Sequence, residues 1–215
     1  MVGGDGVAAW LDAETGEARQ HATKETTHLA STISGEAGLG AMLAMASGPS
    51  RLVRHSGGTR VQTNADGSRW VTLSRDGAVH LLELHGRAPQ TVWSASPDPQ
   101  VSCVGLSADG TRVAVGTADG DVVTLDVRDG SELDRASVHG RPIYDLQWLE
   151  QGRRLLSASR DNTVQVLGVD PEGALTPLIR LRGHNNYVHA ITSDPARDAI
   201  YTGSGDGTIR VWRAE

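Results

Sequence analysis

The sequence predicts an all-β fold that is assembled from repeated units of four short antiparallel strands. In the last unit, residues 188–191 and 200–204 have the pattern of strands, and Asp206-Gly207 supplies a tight turn before a closing strand. The equivalent turn residues upstream are Asp161, Asp119 and Asp76, at separations of 45, 42 and 43 residues. A period of this length with four strands per unit is typical of the blades of a β-propeller.

A second class of turn has the same period. Asp66-Gly67 and Asp109-Gly110 fall where the first hairpin of a unit should turn. Gln151-Gly152 and Arg197-Asp198 occupy the corresponding later positions. The Asp-Gly pair favours such turns because it readily adopts positive φ angles. Two turn classes at fixed offsets predict a series of regular blades.

The last unit, residues 181–212, resembles a WD repeat. The resemblance depends on the Gly183-His184 opening, on the Ser/Thr-x-Ser-x-Asp-Gly motif that ends in Asp206-Gly207, and on the closing Trp212. It covers residues 58–213 well and the first 57 residues poorly. The resemblance implies a β-propeller of four-stranded antiparallel blades that acts as a non-catalytic scaffold for protein or peptide partners.

The repeats divide one predicted β-propeller domain, residues 1–215, into six parts. Four regular C-terminal blades are expected at residues 58–95, 96–135, 136–180 and 181–215. Residues 1–22 match the outer half of the unit around Asp119 and are expected to form a partial blade. Because its inner strands are missing, either the protein extends further upstream, as the C-terminal part of a longer chain, or those strands come from elsewhere.

Residues 23–57 are expected to form a degenerate blade. Strands are predicted at residues 29–33 and 41–46, and a short helix over residues 40–47 is the alternative, because Ala, Met and Leu favour helix. The WD-repeat resemblance implies that a ring of seven blades is common. At roughly 42 residues per blade such a ring would need about 290 residues, so an incomplete or unusual ring is expected.

The last unit contains three predicted strands. The family resemblance implies that an N-terminal segment can supply the fourth, and residues 17–21 are the candidate. Residues 7–12 would then be a spare strand. Open sheet edges would favour self-association, so a homo-oligomer formed through these edges is a further expectation.

Composition and charge limit the classes of partner. The chain has no Phe and only 4% aromatic residues, so its core must be built from smaller aliphatic side chains. The net charge of −6 argues against nucleic acid and anionic membrane as partners, because like charges repel. No signal peptide and no apolar run long enough to cross a bilayer are visible, which predicts a cytoplasmic protein. The single cysteine, Cys103, excludes an intrachain disulfide and lies in an apolar run, where burial is expected.

His184, Thr202 and Asp206 invite comparison with the triad of a hydrolase. The WD-repeat resemblance implies instead that these residue types, together with Trp212, form a hydrogen-bonded structural tetrad. Such a network is favourable inside a protein because each polar member has a partner.

Other units keep fragments of this tetrad. In the preceding unit His139, Ser157 and Asp161 match, while Leu167 stands in the position of the tryptophan. The remaining fragments are Thr72 with Asp76, and Asp119. Because a stabilising network can be diluted in this way and a catalytic one cannot, the sequence predicts no catalytic residue, no metal and no cofactor.

The resemblance also indicates which positions open onto the mouth of the central channel. They lie at the start of each inner strand and just before each turn aspartate. These positions are Asn186, Tyr187 and His189 in the last blade, Arg141 and Tyr144 in the blade before, and Arg75 and Arg160 ahead of their aspartates. Tyr and Arg dominate binding hot spots, so an acidic or arginine-seeking peptide is a candidate ligand. The alternative is that these are solvated loop residues around an unused channel.

Two alternatives to an interaction scaffold remain. The first is a self-assembling structural propeller fragment whose exposed edges pair with a second copy. The second, a propeller hydrolase with a metal in its channel, is less favoured, because the inward-facing positions carry mostly Val, Ser, Tyr and Gln.

Overall fold

The structure, a computed structural model, describes residues 8–11, 18–22, 60–74, 76–85, 88–149 and 152–213. The described residues form antiparallel strands, with one short 3₁₀ helix at Pro195–Arg197. None of their helices is long and apolar enough to cross a membrane. The predicted degenerate blade at residues 23–57, with its strands at 29–33 and 41–46 or its helix at 40–47, lies outside the described residues.

The strands form five antiparallel sheets. The N-terminal hairpin contains β1 (Ala8–Leu11) and β2 (Ala18–Ala22). Sheet 1 contains β3 (Arg60–Thr63), β4 (Arg69–Leu73), β5 (Val79–His85) and β6 (Ala88–Ala95). Sheet 2 contains β7 (Val101–Leu106), β8 (Val113–Thr117), β9 (Asp121–Leu125) and β10 (Glu132–Ser137). Sheet 3 contains β11 (Ile143–Leu149), β12 (Arg154–Ser159), β13 (Val164–Val169) and β14 (Leu175–Leu181). Sheet 4 contains β15 (Val188–Asp194), β16 (Ala199–Ser204) and β17 (Ile209–Arg213).

Both turn classes adopt the backbone that the sequence pattern requires. Gly67 and Gly110 in the first class have φ angles of 70° and 69°. In the second class Gly120 has φ 94°, and a Cβ there would lie 2.2 Å from the carbonyl oxygen of His139. Only glycine fits such a position, because it combines a left-handed φ with a close approach to another backbone segment.

Sheet 4 differs from its neighbours, because it has three strands among the described residues where sheets 1 to 3 have four. The candidate for its fourth strand, residues 17–21, is not paired with β17. Instead β2 pairs with β1, with Ala9 opposite His21 and Trp10 opposite Gln20. This hairpin lies in the segment that was predicted to form the outer half of a blade, at the positions that match β9 and β10 of sheet 2.

Aliphatic side chains join the sheets in chain order. The layer between sheets 1 and 2 includes Val71, Leu81, Val115 and Leu125. The layer between sheets 2 and 3 includes Val122, Ile143, Leu155 and the fully buried Cys103. The layer between sheets 3 and 4 includes Leu156, Val164, Val188 and Ile191. Burial of these side chains is the main favourable term in folding.

Polar contacts bring the first strands of the sheets together. On β3, the side chain of Gln62 accepts a hydrogen bond from the amide of Leu106 at 3.1 Å and donates one to the carbonyl of Leu146 at 3.5 Å. Asp145 on β11 accepts from the amide of Ile191 at 2.9 Å and lies 3.8 Å from the guanidinium of Arg60. Burial raises the pKa of the Asp145 carboxyl, because a poorly solvated site disfavours its charge. These contacts connect β3, β7, β11 and β15.

A four-membered hydrogen-bond network ties sheet 4 together. The Nδ1 atom of His184 lies 2.9 Å from Asp206 Oδ2, and its Nε2 atom lies 2.8 Å from Thr202 Oγ1. The indole N–H of Trp212 donates to the same hydroxyl at 2.9 Å. Since the carboxylate can only accept, we assign the imidazole proton to Nδ1, and the Thr202 hydroxyl then donates to Nε2 while accepting from Trp212.

Sheet 3 contains a three-membered version of this network. His139 Nδ1 lies 2.9 Å from Asp161 Oδ2, and its Nε2 lies 2.8 Å from Ser157 Oγ. Leu167, in the place of the tryptophan, is fully buried. In sheet 1 the equivalent hydroxyl, on Thr72, is buried with no hydrogen-bond partner among the described residues. Among the described residues the four-membered network is therefore complete only in sheet 4.

The contrast between two threonines at equivalent positions gives a stability prediction. We expect Thr202→Val to lower the free energy of unfolding by about 1–3 kcal/mol, because it leaves Trp212 and His184 without their common partner. Thr72→Val is the matched control. It should leave stability unchanged or raise it, since the buried Thr72 hydroxyl has no hydrogen-bond partner among the described residues. Denaturant unfolding followed by circular dichroism measures both, and equal losses in the two variants would contradict the assignment.

The turn aspartates also predict a dependence of stability on pH. Hydrogen bonds from Thr208, from the amide of Asn185 and from His184 hold the pKa of Asp206 well below the ordinary value of 3.8. A carboxyl whose pKa is lower in the folded state stabilises the fold above its unfolded pKa, and this stabilisation is lost as the pH falls. We expect the free energy of unfolding to decrease below about pH 5. In Asp206→Asn this decrease should be smaller, and an identical pH profile for the variant would show that the aspartate contributes nothing.

Candidate functional site

Five of the residues predicted for the channel mouth lie at one end of sheets 3 and 4. Tyr144 and His189 are the second residues of β11 and β15, and Tyr187 directly precedes β15. Arg160 occupies the turn between β12 and β13, and Arg141 lies in the loop before β11. We call these five residues the aromatic–arginine cluster.

The three rings of the cluster contact one another. Tyr144 and His189 stack with their ring centroids 5.0 Å apart and an angle of 12° between the planes. Tyr187 meets Tyr144 edge to face at 6.4 Å and meets His189 in the same way at 6.2 Å. Offset stacking and edge-to-face contacts are the favourable arrangements for aromatic rings. The cluster therefore bridges sheets 3 and 4 with aromatic surface.

The guanidinium of Arg160 lies against this surface. Its central carbon is 4.7 Å from the centroid of the Tyr187 ring, which is a cation–π distance. Its Nη2 atom also donates to the Tyr187 hydroxyl at 3.3 Å. This contact lowers the pKa of Tyr187 and raises that of Arg160, because the hydrogen bond favours both charged forms. The Arg160 Nε atom is buried and has no hydrogen-bond partner among the described residues.

The positive charge of the cluster is not neutralised by the described part of the chain. Neither Arg141 nor Arg160 forms an ion pair with a described carboxylate, whereas Arg135 pairs with Asp98 at 3.0 Å and with Glu132 at 2.9 Å. Arg141 is exposed, and its charge contributes to the lowered pKa of Tyr187. In a chain with a net charge of −6, these two guanidinium groups form a local basic site.

Backbone contacts hold the sheet 3 part of the cluster in place. The hydroxyl of Ser159 donates to the carbonyls of Arg141 and Pro142, both at 3.0 Å. The amide of Arg160 also donates to the Pro142 carbonyl, at 2.9 Å. The bond between His139 and Asp161 closes the same loop onto the same turn. Several hydrogen bonds therefore hold the backbone around both arginines in place.

Sheet 4 repeats this arrangement. The hydroxyl of Ser204 donates to the carbonyl of Asn186 at 2.9 Å, and the amide of Gly205 donates to the carbonyl of Tyr187 at 2.9 Å. The side chain of Asn186, predicted as a mouth residue, donates to the Gly205 carbonyl at 3.2 Å and accepts from the Tyr187 amide at 2.8 Å. Asn186 thus positions Tyr187. The contact between His184 and Asp206 holds the same loop against the turn between β16 and β17.

Ser159 and Ser204 are positioning residues that were not predicted from the sequence. Both occupy the third position of the repeated Ser/Thr-x-Ser-x-Asp motif, so their recurrence at a fixed place was the available indication. Asp145 was also not identified, because an isolated acidic residue within an apolar strand has no motif around it. Arg75, the remaining predicted mouth residue, lies outside the described residues.

The two histidine networks have the geometry of internal hydrogen bonds that hold a loop against a strand and a turn. The rings of His139 and His184 are buried, and each ring nitrogen already contacts a carboxylate or a hydroxyl. A nucleophile must reach a substrate, and the Thr202 hydroxyl is enclosed between an imidazole and an indole. Among the described residues, no group of three or more His, Cys, Asp or Glu side chains could hold a metal ion.

Two family models match parts of the chain. "WD domain, G-beta repeat" matches residues 175–213, which include sheet 4. "Anaphase-promoting complex subunit 4 WD40 domain" matches residues 70–150, which include most of sheets 1 and 2. Both models describe WD40-type repeats, and among the described strands of sheets 1 to 4 they leave out β3, β12 and β13.

Similar proteins include "WD repeat-containing protein 1" of Xenopus tropicalis, which is 29% identical over 54% of this chain and 26% of its own length. "Autophagy-related protein 16" of Arabidopsis thaliana is 27% identical over 66% of this chain and 28% of its own length. The chain thus spans about a quarter of the length of these curated relatives. The solved structure "Crystal structure of RRP9 WD40 repeats" superposes with a TM-score of 0.66 at 21% identity, over 76% of this chain and 51% of that one, which shows the fold. From the repeated sheets, the histidine networks and these similarities together, we conclude that the chain belongs to the WD-repeat family.

Proposed function

We propose that the chain is a non-catalytic interaction scaffold whose aromatic–arginine cluster binds an acidic peptide segment of a partner protein. Relatives built from WD40 repeats support a protein-interaction scaffold in general terms. The observation that carries the specific proposal is the pair Arg141 and Arg160, which lie beside three clustered rings without a described carboxylate to neutralise them.

The chemistry of the cluster favours carboxylates. A guanidinium binds a carboxylate through two parallel charge-assisted hydrogen bonds, which are stronger than neutral ones. Arg160 keeps donors available, since among the described residues its side chain donates only to the Tyr187 hydroxyl. The stacked rings of Tyr144 and His189, of which His189 is exposed, offer apolar area outside the stack for the side chains between the acidic residues of a peptide.

The rigidity of the cluster supports the same proposal. Binding costs free energy when side chains and loops must be ordered, and a surface that is already fixed avoids part of this cost. Here both loops are anchored by a histidine, a serine and backbone amides before any partner arrives.

The charge requirement can be tested with a labelled peptide. We expect a fluorescein-labelled dodecapeptide of alternating Glu and Leu to bind, and its Gln–Leu counterpart to bind at least tenfold more weakly. The double variant Arg141→Gln/Arg160→Gln should lose at least tenfold in affinity, about 1.4 kcal/mol, as measured by fluorescence anisotropy. Arg128→Gln is the control, because Arg128 is exposed and already pairs with Asp126. Equal binding of both peptides, or an unchanged double variant, would refute the proposal.

The aromatic contribution is tested separately at Tyr187. Tyr187→Phe removes the hydroxyl that accepts from Arg160 but retains the ring, whereas Tyr187→Ala removes both. We therefore expect the affinity for the acidic peptide to fall more in the alanine variant than in the phenylalanine variant. Isothermal titration calorimetry measures both constants, and thermal unfolding checks that each variant is folded. If the two substitutions cost the same, the ring makes no contribution of its own.

A further inference from the structure

The turn aspartate of sheet 2 lacks the partner that its equivalents in sheets 3 and 4 have. Those equivalents, Asp161 and Asp206, each contact a histidine 22 positions earlier in the chain. The residue 22 positions before Asp119 is Pro97, whose side chain cannot donate a hydrogen bond. Among the described residues, the Asp119 carboxylate accepts only from the side chain of Gln100, at 3.3 Å. Asp119 is exposed, so its charge faces solvent and is not part of a buried network.

Asp119 lies beside the aromatic–arginine cluster. The next residue, Gly120, packs so closely on the loop that enters sheet 3 that a Cβ there would lie 3.1 Å from the carbonyl oxygen of Arg141. In sheet 3 the residue equivalent to Asp119 is Asp161, and Arg160 directly precedes it. The Asp119 carboxylate therefore borders the cluster on the side of sheet 2.

The charges on the two sides of this border are opposite. No ion pair joins Asp119 to Arg141 or to another basic side chain of the described residues, so each charge is available to a ligand. The sheet 2 side is negative, because a single guanidinium there, that of Arg135, pairs with three carboxylates at 2.9 to 3.3 Å. The surface thus changes from negative at Asp119 to positive and aromatic at the cluster.

We propose that Asp119 selects partner segments that carry a basic residue about three positions from the acidic residues bound by the cluster. This inference rests on the proposed function and makes it more specific, because the ligand becomes one of mixed charge with a defined spacing. A lysine or arginine of the segment pairs with the Asp119 carboxylate, while its acidic side chains pair with Arg141 and Arg160.

The spacing follows from the distance between neighbouring sheets. Stacked sheets lie about 10 Å apart, and an extended chain advances about 3.3 Å per residue. A segment bound in extended form therefore needs about three residues to pass from the turn of sheet 2 to the equivalent turn of sheet 3. The basic residue and the nearest acidic residue are separated by this length.

The pair with Asp119 contributes more to selection than to affinity. Water and salt screen an exposed carboxylate, and ion pairs at exposed sites contribute modestly to binding or stability. An acidic residue placed opposite Asp119 is repelled, which excludes segments that are acidic throughout. The expected preference is therefore a few-fold effect that depends on ionic strength.

Peptides that differ at one position test this selection. A lysine is placed three positions beyond the last Glu of the labelled Glu–Leu peptide, or three positions before its first Glu, so that both backbone directions are covered. Matched peptides carry Gln or Glu in place of the lysine. In fluorescence anisotropy at about 50 mM salt, we expect a lysine peptide to bind about three- to fivefold more tightly than its Gln counterpart. The Glu counterpart should bind more weakly than the Gln peptide.

Variants at Asp119 assign the preference to this residue. Asp119→Asn should abolish the preference for lysine over Gln without weakening the binding of the unextended Glu–Leu peptide. Asp119→Lys should reverse the preference, so that the Glu counterpart binds more tightly than the lysine peptide. Asp129→Asn is the matched control and should keep the preference, because Asp129 is an exposed aspartate before a turn glycine at the opposite end of β9.

The possible failures of this proposal and of the proposed function are distinguishable. Equal binding of the lysine and Gln peptides in both directions, or a lysine preference that persists in Asp119→Asn, would overturn the selection by Asp119. The proposed function would stand in both cases, since the Glu–Leu peptide still binds through Arg141 and Arg160. A Glu–Leu peptide that does not bind at all would refute both. Circular dichroism confirms that each variant is folded.

Discussion

The hydrogen bond between a buried imidazole and a turn aspartate is the interaction on which sheets 3 and 4 and the candidate site both depend. In each sheet the histidine belongs to the loop that enters the first strand, and the aspartate belongs to the turn between the second and third strands. Their contact therefore joins two segments more than 20 residues apart. The residues that we propose to bind a partner are neighbours of these two anchors, so a network that stabilises the sheet also fixes the binding surface.

This arrangement explains how a chain without Phe keeps a precise surface. Its aliphatic layers bury most of the apolar area but are non-directional, because dispersion and hydrophobic contacts do not depend strongly on orientation. Hydrogen bonds are directional, and inside the sheets each one excludes alternative loop positions that would leave a polar group unpaired. The protein thus uses apolar layers for cohesion and polar networks for position.

The sequence predicted most of the fold from local rules. Alternating strands, two classes of turn and a constant period gave the four-stranded sheets, because each of these features depends on a few neighbouring residues. It also identified Tyr144, Tyr187, His189, Arg141 and Arg160 as members of one surface. It did not predict that Arg160 lies over the Tyr187 ring or that Asn186 uses its amide on the backbone. These contacts depend on which of several nearby partners gives a side chain the most favourable interaction in the folded chain. The repeat pattern does not show which partner that is.

What the sequence alone determined is therefore the repeating unit: where the strands and turns lie, and which polar side chains form the internal networks. The tertiary structure decided how consecutive units meet. Only there do residues of sheets 3 and 4, 27 to 48 positions apart, combine into one basic aromatic surface. The physical reason is that strand and turn propensities act over a few residues, whereas burial and charge depend on every group that the folded chain brings into contact.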